Sequence, residues 1–194
     1  ISLPLLTEFM AAYPGIRLEL DFDDRLVDVI EEGFDAVLRV SEPADSRLSA
    51  RQLGEFPRYL VASPDYLARR GTPRLPEDLL LHDCLHYRFP SSGKLECWPL
   101  PQTPGAAPLV LPISMVSNTI EARLAFALAG RGIAYLPEHS VRDALADGRL
   151  QRVLANRIHA CGSFYLLWPS GRHVLPKLRV FIDFISARLT GVSC

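Results

Sequence analysis

The sequence predicts a parallel α/β fold divided into two lobes. Three observations carry this. The opening elements alternate helix, strand, helix, strand, the order of right-handed parallel winding. A second α/β run begins near residue 117. Between the runs lies a proline-containing crossover near residues 72–83, and a second crossing is expected near 168–172. At 194 residues the chain suits one large domain or two small lobes, and it can bury a core without disulfides or metals.

Leu5, Leu6, Phe9, Met10 and Tyr13 recur at helical spacing, with Ser2 placed as a cap and Pro14–Gly15 as the stop. From Ile16 to Phe22 the residues alternate strictly. Ile16, Leu18, Leu20 and Phe22 form one face, and Arg17, Glu19 and Asp21 the other, which predicts a half-buried edge strand. Asp24 is placed to cap a second helix with Leu26, Val27 and Ile30 inward and Gly33 closing it. Ala36 to Val40 is almost continuously apolar, which predicts a strand covered on both faces. The first helix lacks the strand that should precede it, usually a central one. With its start at Ile1, the chain reads as a piece of something longer.

Leu48 to Ser63 predicts two strand segments broken at Pro57. Pro64 to Gly71 is a short helix, and Thr72 to Leu81, with Pro73 and Pro76, reads as a linker. Cys84 to Phe89 is strand-like, and Pro90 to Pro112 is irregular because of its prolines. Asn118, followed three residues later by Glu121, imitates a capping box. It opens a helix that buries Ile120, Leu124, Ala127 and Leu128 and ends at Gly130. Gly132 to Leu136 is a buried strand, and Pro137 starts another helix. Leu150 to Leu154 and Ser163 to Trp168 are strands. Leu175 to Leu189 is the last helix, with Leu178, Phe181, Ile182, Ile185 and Leu189 on one face.

Composition narrows the function. Apolar residues make up 48% and charged residues 22%, the ordinary globular range. Lys plus Arg (21) nearly balances Asp plus Glu (22), whereas a domain that grips DNA phosphates by itself carries a basic excess. Cys84, Cys97, Cys161 and Cys194 form no CxxC, so they read as free, mostly buried thiols in a reducing compartment. No apolar run approaches the ~18 residues of a membrane span.

Candidate chemistry is sparse. His82, Cys84 and His86 alternate and would share a strand face, but a fourth metal ligand is not evident. Packing and hydrogen bonding explain them better, so no metal or cofactor is expected. A nucleophile elbow and both phosphate loops are absent from the sequence, so no enzyme activity is expected. The eight carboxylates between Glu19 and Asp35 read as solvated faces plus a cap. The better signals are two. Ser117, Asn118 and Thr119 open a helix whose free N–H groups suit an anion, or serve only as its cap. Arg39 is a charge within an apolar strand, so it either makes a salt bridge or positions a ligand.

With those residues in place, the chain resembles the effector-binding domain of LysR-type transcriptional regulators. The resemblance runs from Leu5-Leu6-x-Glu8-Phe9 through Tyr13-Pro14-x-Ile16. It continues in Gly33-Phe34-Asp35-Ala36-Val37-Leu38-Arg39 and in Tyr59-Leu60-Val61-Ala62-Ser63-Pro64. Ala129-Gly130-x-Gly132-Ile133-Ala134-x-Leu136-Pro137 and Pro176-Lys177-Leu178-Arg179-x-Phe181 complete it. It implies a periplasmic-binding-protein-like fold of type 2, with two Rossmann-like lobes around a cleft. Lobe one would be 1–82 with 169–194, and lobe two 83–168. It implies a small-molecule effector, such as a small organic acid, held by Asp23, Asp24, Arg39, Val40, Ser117, Asn118, Thr119, Leu136 and Pro137. It implies self-association as a homodimer or tetramer through the first helix, the strand Ile16 to Phe22 and the helix from Asn118. DNA would be bound only by a separate N-terminal winged helix-turn-helix, in the cytoplasm. The family's first strand, and a turn that often supplies a Ser or Thr to the effector, would precede Ile1. The same fold would also serve a periplasmic-type solute-binding protein of a transport system.

Overall fold

The computed structural model describes residues 3–22, 27–40, 47–101, 107–170 and 174–189. The helices are α1 (Leu3–Ala12), α2 (Pro64–Arg70), α3 (Ile120–Leu128), α4 (Glu138–Ala146) and α5 (Pro176–Leu189), with a 3-10 helix at Pro76–Leu81. The strands are β1 (Val37–Arg39), β2 (Leu48–Ala62), β3 (Cys84–Tyr87), β4 (Met115–Ser117), β5 (Ile133–Pro137), β6 (Gln151–Val153) and β7 (Ala160–Pro169). They fall into two compact units, Ile1–Phe56 with Gly162–Cys194, and Pro57–Cys161. The chain thus passes between units inside β2 and inside β7. The lobes expected from sequence divide instead at 82/83 and 168/169, and so differ in where residues 57–82 and 162–168 are assigned.

In the first unit, β7 lies between β1 and the leading part of β2. β1 runs antiparallel to β7, with Val37 opposite Leu167 and Arg39 opposite Tyr165. The core forms where α1 and α5 meet these strands, around Leu6, Phe9, Leu53, Leu166 and Ile185. Phe9 is fully buried and packs edge-on against Phe181 (5.1 Å) and Phe184 (5.2 Å). Burying such a ring contributes about 1.5–3 kcal/mol. Gly162 lies so close to Phe56 that a Cβ there would sit 2.4 Å from the ring.

Three expectations fail in this unit. Residues 16–22 join no strand among the described residues. Ile16 and Leu18 do pack on the core, but Leu20 and Phe22 are exposed, so the alternation is satisfied over only half its length. The helix expected from Asp24 to Gly33 is a single turn at 29–33. Asp28 caps it, accepting from the Ile30 and Glu31 N–H groups, and Gly33 closes it at φ 76°. Val29 is its buried residue, rather than Val27 or Ile30. Finally, β1 is a three-residue edge strand, partly buried, and not covered on both faces. Asp23, Asp24, Leu26 and Ser2 lie outside the described residues, as do residues 41–46 and 171–173.

In the second unit the order is β2-β5-β3-β4, with β6 on β2. β3 is parallel to both β4 and β5, whereas β2 is antiparallel to β5 and β6, so the winding is mixed rather than uniformly parallel. β2 is one continuous strand and is not broken at Pro57. Pro57 immediately precedes Arg58, where pairing with β5 begins, so its missing N–H falls where the partner strand changes. α2 forms because Ser63 accepts from the Tyr66 N–H, Pro64 presets the first turn, and Gly71 at φ 85° ends it. The expected linker is ordered, because the Asp78 carboxylate accepts from the Arg74 and Leu75 N–H groups and starts the 3-10 helix.

Every residue of β5 is buried. A Cβ on Gly132 would stand 2.4 Å from the Asp83 carbonyl oxygen, which requires glycine where β5 enters beside β3. One face of the strands packs on α3 and α4 through Leu85, Ala127, Ala134, Leu136 and Val141. The other carries Leu60, Tyr66, Leu79, Trp98 and Ile133. Cys84 and Cys97 are free thiols, but Cys161 is disulfide-bonded, contrary to the expectation of free cysteines throughout. Among the described residues no helix is long and apolar enough to cross a membrane.

Candidate functional site

Because β3 is parallel to β4 and β5, the C-terminal ends of all three reach one edge of the second unit. Tyr87, Ser117 and Pro137 end those strands there, and Arg58, opposite Pro137, brings β2 to the same edge. This edge of an α/β sheet is where ligands ordinarily bind.

The turn from β4 into α3 is locally determined. Ser117 Oγ accepts the Thr119 N–H at 3.1 Å, and Thr119 Oγ1 accepts the Ala122 N–H at 3.3 Å. Thr119 is therefore the N-cap, in place of Asn118, and no Asn118–Glu121 capping box forms. Asn118 is exposed at the turn. The N–H groups of the first α3 turn, which has Glu121 in it, face this same edge.

Beside the turn stands a charge cluster that the sequence reading did not single out. Glu96 is held between two arginines, with Arg58 Nη2 at 2.7 Å and Arg123 Nη1 at 3.3 Å. Arg123 is buried on α3 and also donates to the Tyr135 carbonyl at 2.9 Å. Its guanidinium lies over the Tyr87 ring and that of Arg58 over Tyr135. Glu96 is placed by its own backbone, whose N–H donates to the Tyr87 carbonyl at 2.9 Å. Burial draws the Arg123 pKa down and the Glu96 carboxylate opposes this. Two guanidinium groups against one carboxylate leave one positive charge in excess. Arg58 Nε is also buried, without a hydrogen-bond partner among the described residues. A signal for Arg123 existed, since position 123 falls within the stripe of 120, 124 and 127 that faces the core. Glu96 had none, because it lies in a proline-rich stretch without periodicity.

Leu136 is fully buried and faces the α3–α4 core, and Pro137 is buried as the residue before α4, its carbonyl accepting from Ser140 Oγ. Ser117 and Thr119 are thus brought together, while Leu136 and Pro137 supply the packed end of β5. In the first unit, Arg39 Nη2 donates to the Val27 carbonyl at 2.7 Å and pairs with no carboxylate among the described residues, and burial draws its pKa down. Val40, next to it, is exposed. Asp23 and Asp24 lie outside the described residues.

The histidine–cysteine alternation is explained by packing. His82 Nδ1 meets the Tyr66 hydroxyl at 3.2 Å. His86 stacks on Trp98 and its Nε2 meets the Pro112 carbonyl at 2.9 Å. Burial pushes the Cys84 thiol up to about 12. Among the described residues no group of three or more His, Cys, Asp or Glu could hold a metal ion.

Comparison with known proteins gives the context. The family model described as LysR substrate binding domain matches residues 1–190. Curated relatives include the uncharacterized HTH-type transcriptional regulator YcaN of Escherichia coli K12, 34% identical over 98% of this chain and 61% of the relative. Another is the HTH-type transcriptional regulator CrgA of Neisseria meningitidis serogroup C, 34% identical over 98% and 63%. The chain therefore spans about three-fifths of the curated relatives it matches. The solved CrgA regulatory domain from Neisseria meningitidis superposes with a TM-score of 0.83 at 33% identity, covering 96% of this chain and 90% of that one. The full-length virulence activator AphB of Vibrio cholerae superposes with a TM-score of 0.74 at 28% identity, over 97% and 64%.

Proposed function

The chain belongs to the LysR substrate-binding-domain family of transcriptional regulators, and from that premise we propose that it senses a small anionic effector. The whole-chain family match carries the regulatory reading and favours it over a transport solute-binding protein. The Arg58–Glu96–Arg123 cluster beside the Ser117–Thr119 turn supports the charge of the effector, since its excess positive charge and the α3 N-terminus both suit an anion.

In this reading Ser117, Asn118 and Thr119 receive the effector carboxylate, and Leu136 and Pro137 give that end its apolar wall. Arg39, Val40, Asp23 and Asp24 are the first unit's contribution. The two lobes act as one sensory domain that catalyses no reaction. Binding moves the regulator only by its differential affinity for two states. The whole protein would work in the cytoplasm as a homodimer or tetramer, and would contact DNA through an N-terminal winged helix-turn-helix.

The test is isothermal titration of the purified chain with a panel of small aliphatic and aromatic carboxylates and their neutral amides. At least one should bind saturably. Asn118→Ala and Arg39→Ala should each weaken it about tenfold, the loss of one charge-assisted hydrogen bond, without unfolding the domain. An unchanged affinity in either variant removes that residue from the site, and binding only of neutral compounds refutes the anionic effector.

A further inference from the structure

The second unit carries another cavity, of about 420 Å³, at the opposite ends of its strands. It lies where β3 and β4 begin and where α2 and α3 end, so it is distinct from the Ser117 edge. Its polar lining is dominated by three arginines, Arg69, Arg70 and Arg131, set against one carboxylate, Asp83.

Arg69 Nη2 donates to the Gly130 carbonyl and Arg70 Nη2 to the Leu81 carbonyl, both at 2.9 Å. These bonds occupy carbonyls at the ends of α3 and the 3-10 helix, which would otherwise repel an anion. Each guanidinium has five N–H donors, so most remain available. The Arg131 side chain is exposed and makes no hydrogen bond or ion pair among the described residues. Asp83 is already occupied. Ser114 Oγ donates to its Oδ1 at 2.9 Å, and Oδ2 lies 3.5 Å from the Tyr66 hydroxyl and 3.8 Å from Arg70 Nε. Gly130 fits the arrangement, since a Cβ there would stand 3.3 Å from the Arg69 guanidinium and crowd it.

We propose that this cavity is a second binding site, for a small phosphate monoester. Three guanidinium groups match a dianionic head, which planar N–H forks grip in pairs. The exposed ring of Phe126, with Met115, supplies an apolar wall for the organic part. The volume falls in the range of small-molecule sites, roughly 300–1,000 Å³.

The test is titration of the purified chain with phenyl phosphate by calorimetry. Saturable binding is expected, with Kd on the order of 1 mM or tighter. Arg131→Ala should weaken it at least about tenfold, and Arg131→Glu should abolish it. Arg149→Ala removes the same charge from another exposed site of this unit, where Arg149 pairs with Asp147, and should leave binding unchanged. Absence of saturable binding up to about 10 mM, a value far above the affinity of a built site, overturns the proposal. So does an Arg149→Ala effect as large as that of Arg131→Ala, which would mean unspecific attraction to positive charge.

Discussion

Glu96→Gln is the most informative single perturbation. It keeps the shape of the side chain and removes its charge. The native Glu96 side chain is 11% exposed, Arg58 16% and Arg123 2%, so the substitution strands two largely desolvated guanidinium groups. Removing one partner of a buried pair costs about 3–5 kcal/mol. The lower end applies here, because Arg123 keeps the Tyr135 carbonyl at 2.9 Å and both guanidinium groups keep their aromatic rings. For a chain of this length 1 kcal/mol moves Tm by about 2–4 °C, so Tm should fall by about 6–12 °C. Circular dichroism melts at pH 7 check this. The double variant Glu96→Gln/Arg123→Met should be less damaged than the two single effects predict, by about 1–3 kcal/mol of coupling. A drop of less than about 2 °C in Glu96→Gln, or simple additivity of the two changes, would refute the reasoning, since neither is compatible with a buried ionic triad.

Two further outcomes follow from the same structure. With Cys84 buried and its thiol pushed up to about 12, a disulfide reagent at mildly alkaline pH should modify exposed Cys97 in the folded protein and spare Cys84 until denaturant is added. Equal rates for the two cysteines would contradict the core packing of Cys84. Burial also holds His82 and His86 below the ordinary histidine range. The unfolded chain therefore binds protons that the folded chain refuses. Their stabilising effect is intact above about pH 6.5 and is lost as pH falls below it. The urea midpoint should be lower at pH 5.5 than at pH 7.5, and a midpoint that rises on acidification would show that these histidines are not desolvated when folded.

The elements legible in the sequence are those with local punctuation. α2 has its Ser63 cap, Pro64 and Gly71, and β5 has Gly132 before an apolar run ended by Pro137. α5 shows its face by periodicity, although Phe184 and Ser186 are buried beside the expected Ile182 and Ile185. What failed depends on distant partners. The alternation of residues 16–22 does not become a strand where nothing among the described residues pairs with it, and the continuity of β2 through Pro57 depends on which strand lies alongside. The site divides the same way. Ser117 and Thr119 were legible as the start of a helix, although a single chain offered no way to choose Thr119 over Asn118 as the cap. Arg58, Glu96 and Arg123 are far apart in sequence, and only the pairing of β2 with β5 and of residues 95–96 with β3 brings them together.

The position of β5 bears on the timing of synthesis. It lies between β2 and β3, and all five of its residues are buried. Cys84 must wait for Ile133, and Tyr59 for Leu136, before either has its neighbour. A nascent chain that has emerged only through β4 would present β2 and β3 with their inner edges bare. Such unpaired strands are open to pairing with other chains. Only when β5 is added do β2 and β3 gain a partner along those edges.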